Sequence, residues 1–295
     1  MDKKYEILNI YGCFIIKALK DFQLMTGKII KKGDFGGRVD GEHNLSQEGN
    51  SWISCYAKAI GDSRVLDDAV LKDRSMAYGN SKISGNAVMK DHSVAYGNVT
   101  VSGNAVMEDF SRAFDNSTIS GDTVMKGDSK AYGYSTISGN AVMKDYSCAD
   151  GNSIISGNAL LQAWQHIRYG TVTTDLLGTK DWIGALYAEL GVVPKDNKVI
   201  LYKRVRKTNN PDVFKSNHHR NFLYKIGKMV AAKSVDEDIF DICTKGLHFT
   251  SLEFVKDYDG DATLECEVEI PDIITIWNSQ VRARKCRVIG IYKGE

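Results

Sequence analysis

Between Ala57 and Trp164 the apolar residues return on a beat of six, and every third beat brings back the same side chain. Lines of eighteen align Ile83, Val101, Ile119, Ile137 and Ile155 in one column and Leu71, Met89, Met107, Met125, Met143 and Leu161 in a second. A third column holds Ala77, Ala95, Ala113, Ala131 and Ala149. A helix would repeat at about 3.6 residues and a half-buried strand at about 2, so neither accounts for the pattern. A beat of six with a superperiod of eighteen predicts a parallel β-helix with three walls. Each hexad gives a short strand and a corner, and equivalent strands pair one coil apart, at about 4.8 Å.

Smaller residues four positions on, Ala87, Ser93, Val99, Ala105, Ser111, Ser117 and Thr123, alternate with the large columns and leave room for them inside the prism. Gly79-Asn80, Gly85-Asn86, Gly97-Asn98, Gly103-Asn104 and Gly139-Asn140 mark corners, since Gly and Asn tolerate left-handed backbone. Proline is absent from the array, as a ladder that needs every N–H requires.

Beyond the array the periods change. Trp182, Ile183, Leu186, Tyr187 and Leu190 keep helical spacing up to Gly191, with Pro194 beyond. From about Lys198 the chain alternates as strands at Val199–Val205, Phe222–Ile226, Gly246–Thr250, Ala262–Val268 and Cys286–Tyr292, with a helix expected at Ser251–Tyr258. The plan is therefore a cap over 1–56, coils over 57–164, a helical connector over 165–197 that covers the far end of the prism, and a small α+β domain over 198–295.

The array resembles the hexapeptide-repeat left-handed β-helix proteins, in particular a group common in phages and prophages whose coils carry GNA and YGN hexads. The runs Ile16–Phe22, Lys32–Gly37 and Asn44–Ile53 are similar to the entry cap of that group. The left hand is what the resemblance implies, because the usual crossover preference is right-handed. The last hundred residues resemble an uncharacterised C-terminal domain of phage proteins. The matching elements are a Tyr-Lys strand (Tyr202, Lys203), Tyr224 with Gly227, and Cys243 with Gly246 and His248, followed by a strand of alternating Glu and a final basic strand. The expected fold class is thus mainly β, a left-handed three-sided parallel β-helix with an N-terminal cap and a C-terminal α+β domain.

Composition narrows this little. The chain has 295 residues, of which 43% are hydrophobic and 25% charged, an ordinary globular balance that favours more than one core. No apolar run reaches membrane-spanning length and the N-terminal residues lack the apolar core of a signal peptide, so the host bacterial cytoplasm is the expected location. Six cysteines without CxxC spacing suggest free thiols, with neither a disulfide framework nor a zinc site. A net charge of +1 gives no electrostatic reason to expect nucleic acid. The basic run Arg282, Arg284, Lys285 and Arg287 reads as a solvated or edge strand.

Candidate chemistry is sparse. Many hexapeptide β-helices are acyltransferases with a histidine base, but His92 stands alone in the coils, in a corner column with Arg74, Phe110, Asp128, Tyr146 and Trp164. A base needs a fixed partner within reach, and nothing in sequence orients this one. In the C-terminal domain the order of elements is similar to that of ADP-ribosyltransferases. That likeness makes Glu267 the residue orienting a ribose and places His248 and Ser251 in the cleft. The plainer reading makes Glu265, Glu267 and Glu269 the solvated face of an amphipathic strand and His248 a packed residue between Leu247 and Phe249. A metal site from His218, His219 and Asp212 or His248 is dismissed, because adjacent histidines point apart and the spacing is wrong. No cofactor or metal is expected.

On the outside, Tyr78, Tyr96, Phe114 and Tyr132 form one ladder, and Val70, Val88, Val106, Val124, Val142 and Leu160 another. An apolar stripe of this length normally marks an interface, so Val88, Val106, Val124 and Val142 are expected to be buried in a homotrimer. The rival is a ladder that only stabilises its own sheet. The functional expectation is a non-enzymatic binding protein: a trimeric β-helix presenting a domain that captures a host defence protein or a nucleotide signal. Tyr202, Lys203, Tyr224, His248 and Thr250 are the binding candidates. A nucleotide-processing or ADP-ribosyl-transferring domain is the enzymatic alternative, and a hexapeptide acyltransferase a further one.

Overall fold

Like stacks on like along the repeat. In the computed structural model, which describes residues 3–217 and 221–294, it forms a parallel β-solenoid of about eight turns with eighteen-residue coils. Among the described residues the walls are one ten-stranded and two seven-stranded sheets. Ala77 pairs with Ala95 and Ala95 with Ala113 on the first wall; Ile83, Val101 and Ile119 follow each other on the second; Met89, Met107 and Met125 on the third. Every one of these side chains is fully buried. Each layer of the prism thus takes one small, one β-branched and one long flexible residue, and the Ala wall leaves the space that the Met wall fills. The corner serines, Ser75, Ser93, Ser111, Ser129 and Ser147 in one column and Ser63, Ser81, Ser117, Ser135 and Ser153 in another, are equally buried.

The ladder outruns the recognisable hexads at both ends. Trp52–Ile53 pairs with Val70–Leu71, and Phe35–Val39 with Lys58–Ala59. At the other end His166–Ile167 pairs with Cys148–Ala149. Ile154 then meets Thr171, one residue short of the full period. The inward residue survives in these coils while the corner letters do not. An antiparallel hairpin, Tyr5–Ile10 with Cys13–Ala18, continues the first wall. Lys4 is buried beside it, its Nζ donating to the carbonyls of Glu48, Gly49 and Ser51 and to Ser51 Oγ.

The corners use their two residues differently from expectation. Glycine does adopt positive φ, as at Gly103 (70°), Gly121 (74°) and Gly139 (67°), but within the coils the other left-handed residues are Asp67, Asp73, Asp91, Asp109, Asp115 and Asp145, with Ala163 near the end. The asparagines of the Gly-Asn pairs are not left-handed. Their amides instead form ladders along the rod, Asn80 donating to Asn98 at 3.0 Å and Asn98 to Asn116 at 3.0 Å. The aspartates accept from the next coil, Asp109 Oδ2 from the Gly127 N–H at 3.0 Å. Glycine is required where two corners nearly touch: a Cβ on Gly121 would stand 2.8 Å from the Gly139 carbonyl oxygen.

The chain divides into two units, Met1–Asp175 and Leu176–Glu295. The helix Trp182–Leu190 belongs to the second unit and packs on the strand Ile273–Trp277, whereas the sequence placed it in a connector. Its first turn is capped by Asp181, whose Oδ1 accepts from the Gly184 N–H at 2.9 Å, and left-handed Gly191 ends it. The second unit holds a six-stranded sheet in the order Leu223–Lys225, Val213–Lys215, Lys198–Lys207, Ala262–Glu269, Lys285–Ile291, Met229–Ala231. A three-stranded sheet of Leu247–Phe249, Gln280–Ala283 and Ile273–Trp277 stands beside it. The helix expected over Ser251–Tyr258 is only a 3₁₀ turn at Val255–Asp257, since Tyr258 already returns to extended backbone. Ile273–Trp277 escaped sequence analysis because all five residues are buried, which erases the alternation.

Gly121→Ala is expected to cost about 1–2 kcal/mol from the left-handed backbone alone, and more from the Gly139 contact. The urea midpoint should fall accordingly, and an unchanged midpoint would contradict this account of the corners.

Candidate functional site

One strand organises the second unit. Along one edge Lys198–Lys207 pairs with Ala262–Glu269 from Lys198 opposite Glu269 to Val205 opposite Ala262. Its other edge is shared. Tyr202 bridges Thr250, the Tyr202 N–H donating to the Thr250 carbonyl at 2.8 Å and the Thr250 N–H returning to Tyr202 at 3.0 Å. Further on, Arg206 and Lys207 pair with Lys215 and Phe214. Between these two attachments lie Lys203, Arg204 and Val205, and the Arg204 carbonyl is met by the Asn217 side chain at 3.4 Å. A strand whose neighbours diverge leaves a crevice between them, which is where sheet proteins commonly build sites.

The crevice is a cavity of about 790 Å³. Its cations are Lys203, Arg204, Lys233 and Lys245; its aromatic surface comes from Tyr202, Phe222, Tyr224, Phe249 and Tyr258. Among the described residues no Asp or Glu lines it, although acidic and basic residues are nearly balanced over the chain. Lys233 and Lys245 are exposed at the rim. Arg204 is anchored, its Nη1 donating to Thr263 Oγ1 at 3.0 Å and its Nη2 to the Gly260 carbonyl.

Lys203 is the unusual group. Its Nζ donates to the His248 carbonyl at 2.8 Å and lies 5.4 Å and 5.6 Å from the ring centres of Tyr224 and Phe249. Desolvation pulls the ammonium down to about 8, against which the nearby Cys266 and Cys286 push weakly upward. Tyr224, itself buried, has its phenol raised well above the ordinary value by the same desolvation.

The wall carrying Thr244 to His248 is held from behind. Arg282 is fully buried, and its guanidinium donates to the carbonyls of Asp236 at 2.9 Å, Lys245 at 3.3 Å and Asp238, and to Thr244 Oγ1. This corrects the reading of Arg282 as part of a solvated strand: the loop wraps its carbonyls around the charge, which compensates burial without a carboxylate. Arg284 does stay outside, paired with Glu237.

Of the residues singled out from sequence, Tyr202, Lys203, Tyr224, His248 and Thr250 all line the cavity. His248 is fixed through Nε2 to the Ile242 carbonyl at 2.7 Å, and the Thr250 hydroxyl donates to the Ser279 carbonyl at 2.6 Å. The proposed partners in catalysis are not brought together. Ser251 lies in an adjoining cleft with Leu190, Val193, Ile200 and Leu252. Glu267 stands opposite Ile200 and is paired with Lys198 at 3.0 Å, away from the cavity. Asn217, Phe222, Lys233, Lys245 and Tyr258 were not singled out, because they come from loops with no period of their own. His218 and His219 lie outside the described residues. On the solenoid, His92 stacks on Phe110 with ring centres 5.0 Å apart. Trp52, edge-on to Phe22, Val70 and Val88 are buried, and Val106, Val124 and Val142 are half-buried.

Residues 193–253 are similar to a family of unknown function, DUF5758. This stretch includes Tyr202, Lys203, Tyr224, His248 and Thr250. No curated protein matches the chain.

The depressed lysine has a thermodynamic signature. Its folded value lies below the unfolded one, so between about 8 and the ordinary 10.5 the unfolded chain holds more proton and stability gains as pH rises. Lys203→Met should therefore melt higher than the wild type at pH 7, and the difference should narrow as pH rises through 8 towards 10.5. A difference independent of pH would mean that Lys203 is not desolvated.

Proposed function

We propose that the C-terminal unit is a binding domain for a small anionic ligand with a planar ring, of the nucleotide class, and that the β-solenoid assembles copies of it. The observation that carries this reading is the cavity itself, in which four cations and five Tyr and Phe rings converge with no carboxylate among the described residues. A net positive, partly desolvated pocket favours phosphate or carboxylate, and tyrosine and phenylalanine faces suit a stacked base. Its volume of about 790 Å³ is in the range of small-molecule sites and suits a mononucleotide. Non-enzymatic capture accords with the separation of Glu267 and Ser251 from His248, which removes the grouping a transferase would use.

The resemblance to phage proteins extends the proposal: the bound anion is a nucleotide signal inside an infected bacterium, and sequestering it counters a host defence. The half-buried Val106, Val124 and Val142 are the face on which we propose that three copies meet. Several linked pockets in one assembly would raise capture by effective concentration.

Calorimetric titration with nucleoside monophosphates and cyclic nucleotides tests the binding. At least one should bind, with affinity falling as salt rises. The exposed pair Lys233→Glu with Lys245→Glu should weaken it by about 1.4 kcal/mol or more, which is roughly tenfold, at unchanged melting temperature in the absence of ligand. Failure of every nucleotide to bind the folded wild type would overturn the reading. For the assembly, light scattering on Val106→Lys with Val124→Lys should show a fall from trimer to monomer mass. A wild type that is itself monomeric, or an unchanged mass in the double variant, would reject that face.

A further inference from the structure

The geometry points to Lys203 as a covalent capture site: its amine condenses with the carbonyl group of a ligand held in the C-terminal cavity, forming an imine. Two desolvated lysines in the chain, the buried Lys4 and the half-buried Lys203, frame the argument. Lys4 Nζ is surrounded by four oxygen acceptors within 3.3 Å, which saturate an ammonium and leave nothing for chemistry. Lys203 Nζ has one, the His248 carbonyl. Its remaining directions are bounded by the Tyr224 and Phe249 rings and by the cavity, to which it contributes surface. No ion pair holds it among the described residues, and the Tyr224 and Phe249 rings beside the amine are buried, at 2% and 3% exposure.

Desolvation brings the Lys203 ammonium to about 8, as it does that of Lys4, so what separates the two is the single acceptor at Lys203 against four at Lys4. Near neutral pH such a group is uncharged roughly 200–300 times more often than an ordinary lysine, and a neutral amine is the nucleophile. The His248 carbonyl accepts one N–H and so orients the lone pair away from itself.

The step balances without a further reagent. The nitrogen lone pair adds to the carbonyl carbon and a C–N bond forms, while a proton passes from nitrogen to oxygen. The hydroxyl then takes up the remaining N–H proton and leaves as water as the C=N bond closes, and nothing is oxidised or reduced. The ligand class is an aldehyde or ketone that also carries an anionic group for Lys233, Lys245 and Arg204. The ligand's charge rests on the binding function proposed above; the reactivity of the amine does not.

Pyridoxal 5′-phosphate and pyridoxal serve as probes, each followed by borohydride, which traps an imine by adding hydride to its carbon, and by peptide mass spectrometry. With the phosphate form, Lys203 should be labelled about tenfold faster than exposed lysines, with a rate rising through pH 8 in keeping with its lowered value. AMP should protect it, and Lys203→Arg, folded by its melting curve, should lose that label alone. If both probes label Lys203 equally and AMP does not protect, the imine inference stands and the anion-binding reading falls. If the phosphate form binds in titration but Lys203 stays unlabelled while surface lysines react, the imine inference is overturned and the binding reading stands.

Discussion

In-register stacking is the constraint from which the first unit follows. Short parallel strands of two to four residues have few hydrogen bonds each, and they persist because each is continued by its equivalent one coil on, eighteen residues away within the regular repeat. That requirement fixes the three interior columns, excludes proline and sets mostly glycine and aspartate at the left-handed corners. The stability of such an array is a sum over neighbouring coils, so Trp52–Ile53 and Thr171–Val172 join it although their hexads are degenerate.

The second unit obeys a different rule. Its long central strand is paired from Lys198 to Val205 on one side and partitioned on the other between Thr250 and the Val213–Lys215 strand. The partition produces the crevice, and buried Arg282 gives the wall its shape by gathering loop carbonyls. Position and chemistry coincide at Lys203, which sits at the divergence and is desolvated there. The same geometry removes Glu267 to the outer face, where it pairs with Lys198, so alternation of Glu along that strand reflects solvation.

The solenoid was legible because its information is local and repeated: a single hexad predicts its neighbours, and the columns of Ile, Met and Ala stand where the sequence puts them. The C-terminal strands that alternate were also legible. Ile273–Trp277 was hidden by burial on both faces, and Arg282 was misread because a charged residue on a strand usually faces water. Part of the cavity was visible, since Tyr202, Lys203, Tyr224 and His248 lie on strands and Thr250 directly follows one. Lys233, Lys245 and Tyr258 enter it through loop closure, a tertiary event with no periodic trace.

The asparagine ladders carry a direction. Each amide nitrogen donates toward the C-terminal end, Asn80 to Asn98 to Asn116 and Asn86 to Asn104, and the second run ends on Asp122, which accepts from Asn104 at 2.7 Å. A carboxylate can only accept, so it is tolerated at the terminal rung and nowhere before it. Deamidation, the slow chemical ageing of asparagine, would thus have opposite effects within one stack: at Asn116 it strengthens the last bond by charge, and at Asn98 it severs the chain of amides in the middle.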